Sequence, residues 1–184
     1  MNFFIIHGVF ANPDSNWFPW LKKELESKRY EVKIPKFPTP FDQSLESWLR
    51  TIAKYEHEIN EQTILIGHSL GAVFILNYLG SRRKIVKAAI LVAGYHQLLD
   101  NEFKELNKSF FQKEFDWNMI RNNCGKFFVV ASDNDPYIPS NVNDELAKIL
   151  HAKLSVIRNG GHLNKKGFEK FPELLELILN YAEA

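Results

Sequence analysis

Short runs of apolar residues alternate along the chain with longer segments in which apolar residues recur at helical spacing. Each run is shorter than an ordinary helix and is typical of a buried β-strand. The runs predict six strands, at residues 3–7, 32–35, 63–66, 85–93, 127–132 and 154–157. Between these runs, apolar residues at helical spacing predict helices at residues 17–25, 45–52, 70–79, 142–150 and 171–178. Residues 94–123 show no clear period.

This alternation of strands and helices predicts the fold class. Strands separated by helices form a parallel sheet, because right-handed crossovers place the helices on its two faces. Residues 70–79 are apolar on nearly every side, which indicates a helix at the centre of the fold. We therefore predict the α/β class, with three α/β/α layers and a mostly parallel six-stranded sheet. Residues 1–184 contain no linker or repeat and are expected to form a single domain.

Composition limits the binding partners and the cellular compartment that can be expected. The net charge of +1 gives no electrostatic reason to expect nucleic acid or an anionic membrane as a partner. Cys124 is the only cysteine, so no intrachain disulfide can form, which fits a reducing compartment. The apolar run near the start is too short for a signal peptide, and no run approaches the ~18 residues of a membrane span. A cytoplasmic location is expected.

The segment Gly67-His68-Ser69-Leu70-Gly71 matches the pattern G-x-S-x-G between a predicted strand and a predicted helix. In this turn the serine takes strained backbone angles, and its hydroxyl projects above the edge of the sheet. Strand and helix come so close that side chains two residues from the serine would collide, which glycine avoids. A glycine-flanked serine in an ordinary turn is the alternative. The context favours Ser69 as the nucleophile of a compact α/β-hydrolase fold.

Backbone amides near two strand ends are candidates for an oxyanion hole. The Leu70 N–H lies at the start of a helix, where the dipole favours a developing negative charge. In this fold a second amide comes from the loop after an earlier strand, and Val9 is the candidate, with Phe10 next. Gly8 allows the loop to approach the nucleophile. His7 is expected to orient this loop by hydrogen bonding.

The order of the chain selects the general base, since hydrolases of this fold place serine, acid and histidine in that order. Only His96, His151 and His162 follow Ser69. His96 precedes every plausible acid, and His151 lies in a helix-to-strand link. His162 follows two glycines just after the last predicted strand, at the sheet edge where active groups of parallel sheets gather. We predict that His162 is the base.

Two aspartates are candidates for the acid. Both Asp133 and Asp135 follow the strand at residues 127–132, at the correct edge of the sheet. Asp135 precedes Pro136, which disfavours a helical conformation at Asp135 and stiffens the turn. Asp135 is therefore preferred, and Asp133, whose alternative role is to form the turn, remains open.

With these residues in hand, the sequence resembles the family of small serine hydrolases that includes YdeN and retinoblastoma-binding protein nine. The resemblance covers essentially the whole chain and rests on residues 4–8, 16–21, 67–71, 132–139 and 160–162. It implies Ser69, Asp135 and His162 as the triad and a compact fold that lacks the first two strands of larger relatives. It also implies esterase-like or amidase-like activity, without defining the substrate. Residues 94–123 are too short for a large lid domain, so a minimal lid is expected.

These features predict a serine hydrolase, carboxylesterase-like, that cleaves small carboxylic esters through an acyl-enzyme on Ser69. An amidase or short-peptide hydrolase is the alternative, and a non-catalytic protein-binding scaffold is a third reading, against which the intact triad argues. No metal or other cofactor is needed, and nothing indicates a protein partner. Candidates for the substrate pocket are aromatic, with the core as the alternative for the last four: Phe10, Phe110, Phe111, Phe115 and Trp117.

Overall fold

Six parallel strands form one sheet in the computed structural model, which describes residues 1–81, 85–164 and 168–182. Their order across the sheet is β2-β1-β3-β4-β5-β6. The strands are β1 (Asn2–Ile6), β2 (Glu31–Lys33), β3 (Thr63–His68), β4 (Ala88–Val92), β5 (Phe127–Ser132) and β6 (Lys153–Ile157). Every residue of β3, β4 and β5 is buried, as expected for a parallel sheet covered on both faces. The predicted strands and the predicted fold class are confirmed.

Helices cover both faces of this sheet. They are α1 (Phe18–Ser27), α2 (Leu45–Ala53), α3 (Leu70–Ser81), α4 (Lys104–Asn107), α5 (Trp117–Asn122), α6 (Ser140–Ile149) and α7 (Pro172–Ala182). Helix α3 is buried along most of its length, because apolar residues surround its axis. Ser44 begins α2 by accepting a hydrogen bond from the Ser47 N–H. None of the helices in the described parts of the chain is long and apolar enough to cross a lipid bilayer.

The segment without a clear period, residues 94–123, contains two short helices and a 3₁₀ turn. Helices α4 and α5 have four and six residues, and the turn Lys108–Phe111 lies between them. Elements of this length offer too few positions to reveal a period, which explains why the sequence pattern did not predict them. Asp116 begins α5 by accepting a hydrogen bond from the Met119 N–H.

The parallel register gathers the loops after the strands at one edge of the sheet. Ile6 at the end of β1 pairs with Gly67 in β3, and His68 at the end of β3 pairs with Val92 in β4. The end of β5 lies beside the end of β6 in the same way. Residues that are distant in sequence therefore meet at this edge, which is where ligands bind in open α/β sheets.

Candidate active site

Ser69 occupies the sharp turn between β3 and α3. Its φ is 56°, in the left-handed region that residues other than glycine rarely adopt. The strained backbone is held by the Ser69 N–H, which donates a hydrogen bond of 2.9 Å to the Val92 oxygen. The structure thus contains the strained strand-to-helix turn that the G-x-S-x-G pattern predicts.

The two glycines of the motif are required for different reasons. A Cβ at Gly67 would lie 2.6 Å from backbone atoms of Gly71 and Ala72, at the start of α3. A Cβ at Gly71 would lie 2.2 Å from the Ile6 oxygen, at the end of the neighbouring strand β1. The first glycine therefore allows the turn itself, and the second allows α3 to pack against β1.

His162 lies in the loop after β6, and Asp135 lies in the turn after β5. The two side chains form a direct hydrogen bond. The His162 Nδ1 atom lies 2.8 Å from Asp135 Oδ2, and the two side chains are 9% and 2% exposed. The other Asp135 oxygen accepts hydrogen bonds from the N–H groups of Tyr137 (2.9 Å) and Ile138 (3.2 Å). With Nδ1–H donating to the carboxylate, the Nε2 atom of His162 is free to accept a proton.

Asp133 makes a different contact. Its Oδ1 atom accepts a hydrogen bond of 2.7 Å from the Asn159 N–H. This bond ties the turn after β5 to the loop after β6 and places no carboxylate oxygen on a histidine. The geometry favours Asp135 over Asp133 as the partner of His162.

The loop that carries His162 is held by three further hydrogen bonds. Trp17 Nε1 donates to the Leu163 oxygen at 3.0 Å, and His68 Nε2 lies 2.9 Å from the His162 oxygen. The Gly161 N–H donates to Asn134 Oδ1 at 2.7 Å, and Gly161 has a φ of 58°. No local pattern in the sequence predicts these contacts of Trp17 and His68, because both bonds join residues far apart in the chain.

His68 is a buried residue of the site and is neutral. Burial, with a smaller contribution from the charge of His162, lowers the pKa of His68 to about 3. Since a carbonyl oxygen can only accept, the Nε2 atom carries the proton in the bond to His162. The Nδ1 atom is then an acceptor, and it is buried without a partner in the described parts of the chain.

His7 holds the loop after β1 through both of its ring nitrogens. Nε2 lies 3.0 Å from the Phe37 nitrogen and accepts its N–H, so Nδ1 carries the proton and donates to the Gly8 oxygen at 2.9 Å. Burial lowers the pKa of His7, which favours this neutral form. His7 orients the loop, as the sequence analysis expected. The Phe10 N–H in the same loop donates to Thr39 Oγ1 at 3.0 Å and is thereby occupied.

A cleft of about 220 Å³ opens beside Ser69 and His162. Val9 and Phe10 line one side of it. The remaining lining combines aromatic and amide side chains with a few small or aliphatic residues: Gly8, Ala11, Asn16, His68, Tyr95, Leu99, Asn101, Phe103, Asn107, Tyr137, Ile138 and Asn164. The cleft brings together the predicted nucleophile, the predicted base and the predicted oxyanion loop.

Of the five aromatic residues predicted to contact substrate, only Phe10 lines the cleft. Phe110 is fully buried against Trp48, with the ring centroids 5.1 Å apart. The structure likewise places Phe111, Phe115 and Trp117 outside the lining, where they pack against the core and against one another. The expectation that these four residues line the cleft is corrected in favour of the alternative, that they pack against the core, because their rings contact other buried or partly buried aromatic rings.

Other aromatic side chains form the wall instead. The Phe103 ring lies 6.1 Å from Phe10 and 5.5 Å from Tyr137, and Tyr137 lies 5.0 Å from the His162 ring. Tyr95 is a buried residue of the same lining. Its place shortly after β4 is the signal that could have identified it, since residues after parallel strands gather at this edge.

The parallel sheet and the strained serine turn at its carboxyl edge define an α/β hydrolase. The chain belongs to the serine hydrolase family, whose model matches residues 3–180. It is 34% identical to YdeN of Bacillus subtilis (strain 168) over 181 residues, which cover 97% of this chain and 94% of that protein. It is 29% identical to the serine hydrolase RBBP9 of Rattus norvegicus, with coverage of 90% and 88%.

Solved structures show the same architecture. The crystal structure of the ydeN gene product from B. subtilis superimposes with a TM-score of 0.93 at 33% identity, covering 100% of this chain and 99% of that one. Est1E from Butyrivibrio proteoclasticus superimposes with a TM-score of 0.75 at 16% identity, covering 100% and 88%. At that identity the second likeness concerns the fold alone.

Proposed function

We propose that this chain hydrolyses small carboxylic esters through an acyl-enzyme on Ser69, with His162 as general base and Asp135 as the acid of the triad. The observation that carries the proposal is the bond of 2.8 Å between His162 Nδ1 and Asp135 Oδ2, beside a cleft that Ser69 also lines. That bond fixes the tautomer in which Nε2 can accept a proton. It also stabilises the imidazolium that forms when the proton is transferred.

The proposed reaction has two halves. In the first, His162 Nε2 accepts the Ser69 proton while Oγ forms a bond to the ester carbonyl carbon, and the Val9 and Leu70 N–H groups stabilise the oxyanion. The carbon–oxygen bond to the leaving group then breaks, and the alcohol leaves with the proton from His162. In the second, water gives its proton to His162 and its oxygen to the acyl carbon, and Ser69 recovers its proton as the acid is released.

Local structure supports these two amides as the oxyanion hole. Leu70 is the first residue of α3, and amides in the first turn of a helix have no acceptor within the helix. Val9 lines the cleft, whereas the next amide, that of Phe10, is bonded to Thr39. Esters are proposed ahead of amides because the oxygen of an ester leaves readily, whereas the nitrogen of an amide must be protonated by the His162 imidazolium before it can leave as an amine.

Covalent labelling with a fluorophosphonate probe tests this proposal. We expect one adduct on the wild-type protein, none on Ser69→Ala, and normal labelling of Ser140→Ala, which removes an exposed hydroxyl at the start of α6. For p-nitrophenyl acetate, Ser69→Ala should lower kcat by roughly 10⁶-fold. A folded wild-type protein that takes up no probe and cleaves no ester would contradict the proposal. Faster turnover of aminoacyl amides than of esters would replace esterase with amidase.

A further inference from the structure

A chain of hydrogen bonds runs from the loop after β1 to Tyr95, a buried residue of the cleft lining. It begins at the Phe10 N–H, which donates to Thr39 Oγ1 at 3.0 Å, and continues from Thr39 to Gln43 Oε1 at 2.6 Å. Gln43 Nε2 then donates to Asn107 Oδ1 at 3.0 Å, and Asn107 Nδ2 donates to the Tyr95 hydroxyl at 3.1 Å. All four bonds point in the same direction, towards Tyr95.

Two backbone groups fix that direction. The Phe10 N–H can only donate, so Thr39 accepts from it and directs its own proton to Gln43. The Leu106 oxygen can only accept, and it lies 3.1 Å from Gln43 Nε2, so the NH₂ group of Gln43 must face Leu106 and Asn107. Both constraints give the same orientation of the Gln43 amide.

The orientation of Asn107 follows. Its Oδ1 atom accepts from Gln43, which turns its NH₂ group to Tyr95. The Tyr95 oxygen is therefore an acceptor in this chain, and its proton has no acceptor within residues 1–81, 85–164 and 168–182. Burial raises the pKa of Tyr95, which keeps that proton on the hydroxyl.

An unused donor at this position is chemically significant. Tyr95 is 4% exposed and lines the cleft, so its hydroxyl has little access to bulk water. The hydroxyl already has one partner, since it accepts from Asn107, but a buried O–H donor without an acceptor still costs free energy. A ligand oxygen in the cleft would satisfy the Tyr95 proton and complete the chain of bonds.

We propose that Tyr95 is a specificity-determining residue that donates a hydrogen bond to an oxygen in the acyl chain of the substrate. The preferred substrates are esters whose acyl group carries an ether, hydroxyl or carbonyl oxygen close to the scissile bond. The acyl chain is assigned to the side of Tyr95 because it stays on Ser69 after the leaving group has departed. This inference rests on the proposed esterase function.

Two substrates of equal length test the assignment: p-nitrophenyl butyrate and p-nitrophenyl methoxyacetate, which differ by the replacement of one methylene by oxygen. The measured quantity is the ratio of kcat/KM for methoxyacetate to that for butyrate. The intrinsic reactivities of the two esters cancel when this ratio is compared between wild type and Tyr95→Phe. We expect the ratio to fall about fivefold to tenfold in Tyr95→Phe, the effect of one uncharged hydrogen bond.

Two further variants sharpen the test. Tyr137→Phe removes the other tyrosine hydroxyl of the described cleft lining, lies outside the chain of bonds, and should leave the ratio unchanged. Asn107→Asp keeps the Tyr95 hydroxyl but offers it a carboxylate acceptor, so the ratio should fall as it does in Tyr95→Phe. This second variant preserves the test if Tyr95→Phe folds poorly.

The outcomes distinguish a failure of the proposed role of Tyr95 from a failure of the proposed esterase function. Normal fluorophosphonate labelling and ester turnover with an unchanged ratio in Tyr95→Phe would overturn the role of Tyr95 and leave the proposed esterase function standing. An equal fall of the ratio in Tyr137→Phe would also overturn it, since the effect would not be specific to the buried hydroxyl. Absence of both labelling and turnover in the wild type would overturn the esterase function together with this inference.

Discussion

The Nε2 atom of His68 lies 2.9 Å from the main-chain oxygen of His162, and the two ring centroids are 5.0 Å apart. His68 directly precedes Ser69 in the turn between β3 and α3. The bond therefore joins the backbone of the proposed base to the residue next to the proposed nucleophile. We therefore expect His68 to act through His162, as a positioning residue.

Removal of this donor should slow turnover more than it weakens substrate binding. In His68→Leu we expect kcat to fall at least tenfold with little change in KM, because the loop that carries His162 loses a buried hydrogen bond. His68→Gln keeps an N–H donor near the same position and should recover much of the loss. Steady-state kinetics with p-nitrophenyl acetate measure both. Equal activity of the Leu and Gln variants would show that the donor has no positioning role.

The buried histidines should make the free energy of unfolding decrease as the pH falls. In the folded protein burial lowers the pKa of His68 to about 3, whereas the unfolded chain binds a proton near pH 6.5. The unfolded state therefore gains protons as the pH falls below 6.5 while folded His68 stays neutral, so the free energy of unfolding decreases. For His68 alone this amounts to roughly 1.5 kcal/mol between pH 6.5 and pH 5. His7 and His96, whose pKa values burial also lowers, act in the same direction.

Urea denaturation at pH 6.5 and pH 5 measures this effect. Wild type should lose more of its free energy of unfolding over this interval than His68→Gln, whose side chain does not titrate. Identical losses in the two proteins would mean that His68 is not the neutral buried group that the structure indicates.

Signals close together in the sequence predicted most of the fold. The apolar runs of β3, β4 and β5 and the two glycines around Ser69 are local features, and each one indicates its own structure. The contact between His68 and His162 spans 94 positions, and the bond from Gln43 to Asn107 spans 64. No periodicity or spacing reports such pairs, because they depend on how separate loops meet above the sheet.

The substrate-facing residues were predicted least well, for a related reason. Phe110 and Phe103 both lie in the segment without a clear period, and nothing in the sequence separates an aromatic core residue from one in a cleft wall. Phe110 faces Trp48, whereas Phe103 contacts Phe10 and Tyr137 at the cleft. The packing of α4 and the adjoining 3₁₀ turn on the rest of the protein decides which of the two rings faces the cleft. That packing is a tertiary property that the local sequence does not report.

Helix α3 contains two glycines, Gly71 and Gly80, and substitution of each by alanine should affect the free energy of unfolding differently. Gly71→Ala should destabilise the protein by about 3 kcal/mol or more, since the new Cβ would lie 2.2 Å from the Ile6 oxygen and the backbone must move. Gly80→Ala places a Cβ 3.3 Å from Cγ1 of the buried Ile120, a close contact that offsets the gain of about 1 kcal/mol in helix propensity, so the free energy of unfolding should change far less. The urea unfolding midpoint should therefore fall much more in Gly71→Ala than in Gly80→Ala, and equal shifts would contradict the close packing of α3 on β1.

The two aspartates after β5 should differ sharply in their effect on activity. Asp135→Asn should lower kcat about 10⁴-fold, because an amide at this position favours the wrong tautomer of His162. Asp133→Asn should cost far less, since the asparagine oxygen can still accept from the Asn159 N–H. Circular dichroism controls for folding, and kcat for p-nitrophenyl acetate is the readout. The reverse ranking would transfer the role to Asp133.

The cleft also predicts the length of acyl chain that the protein prefers. Its volume of about 220 Å³ is below the usual range of roughly 300–1,000 Å³ for pockets that take drug-sized ligands. Each buried methylene contributes about 0.8 kcal/mol, so kcat/KM should rise with chain length only until the cleft is filled. Tyr95 and Asn107, which are buried in the cleft lining and joined by a hydrogen bond, limit the room for a longer chain.

We therefore expect kcat/KM for unsubstituted p-nitrophenyl esters to peak at about two to six acyl carbons and to fall for longer chains. Carbons beyond the filled cleft would stay in water or collide with the aromatic wall formed by Phe103 and Tyr137. A series from acetate to palmitate, kept below the concentration at which the longer esters form micelles, measures this profile. A maximum at ten carbons or more would mean that the wall opens to admit a long chain, as in a lipase-like groove.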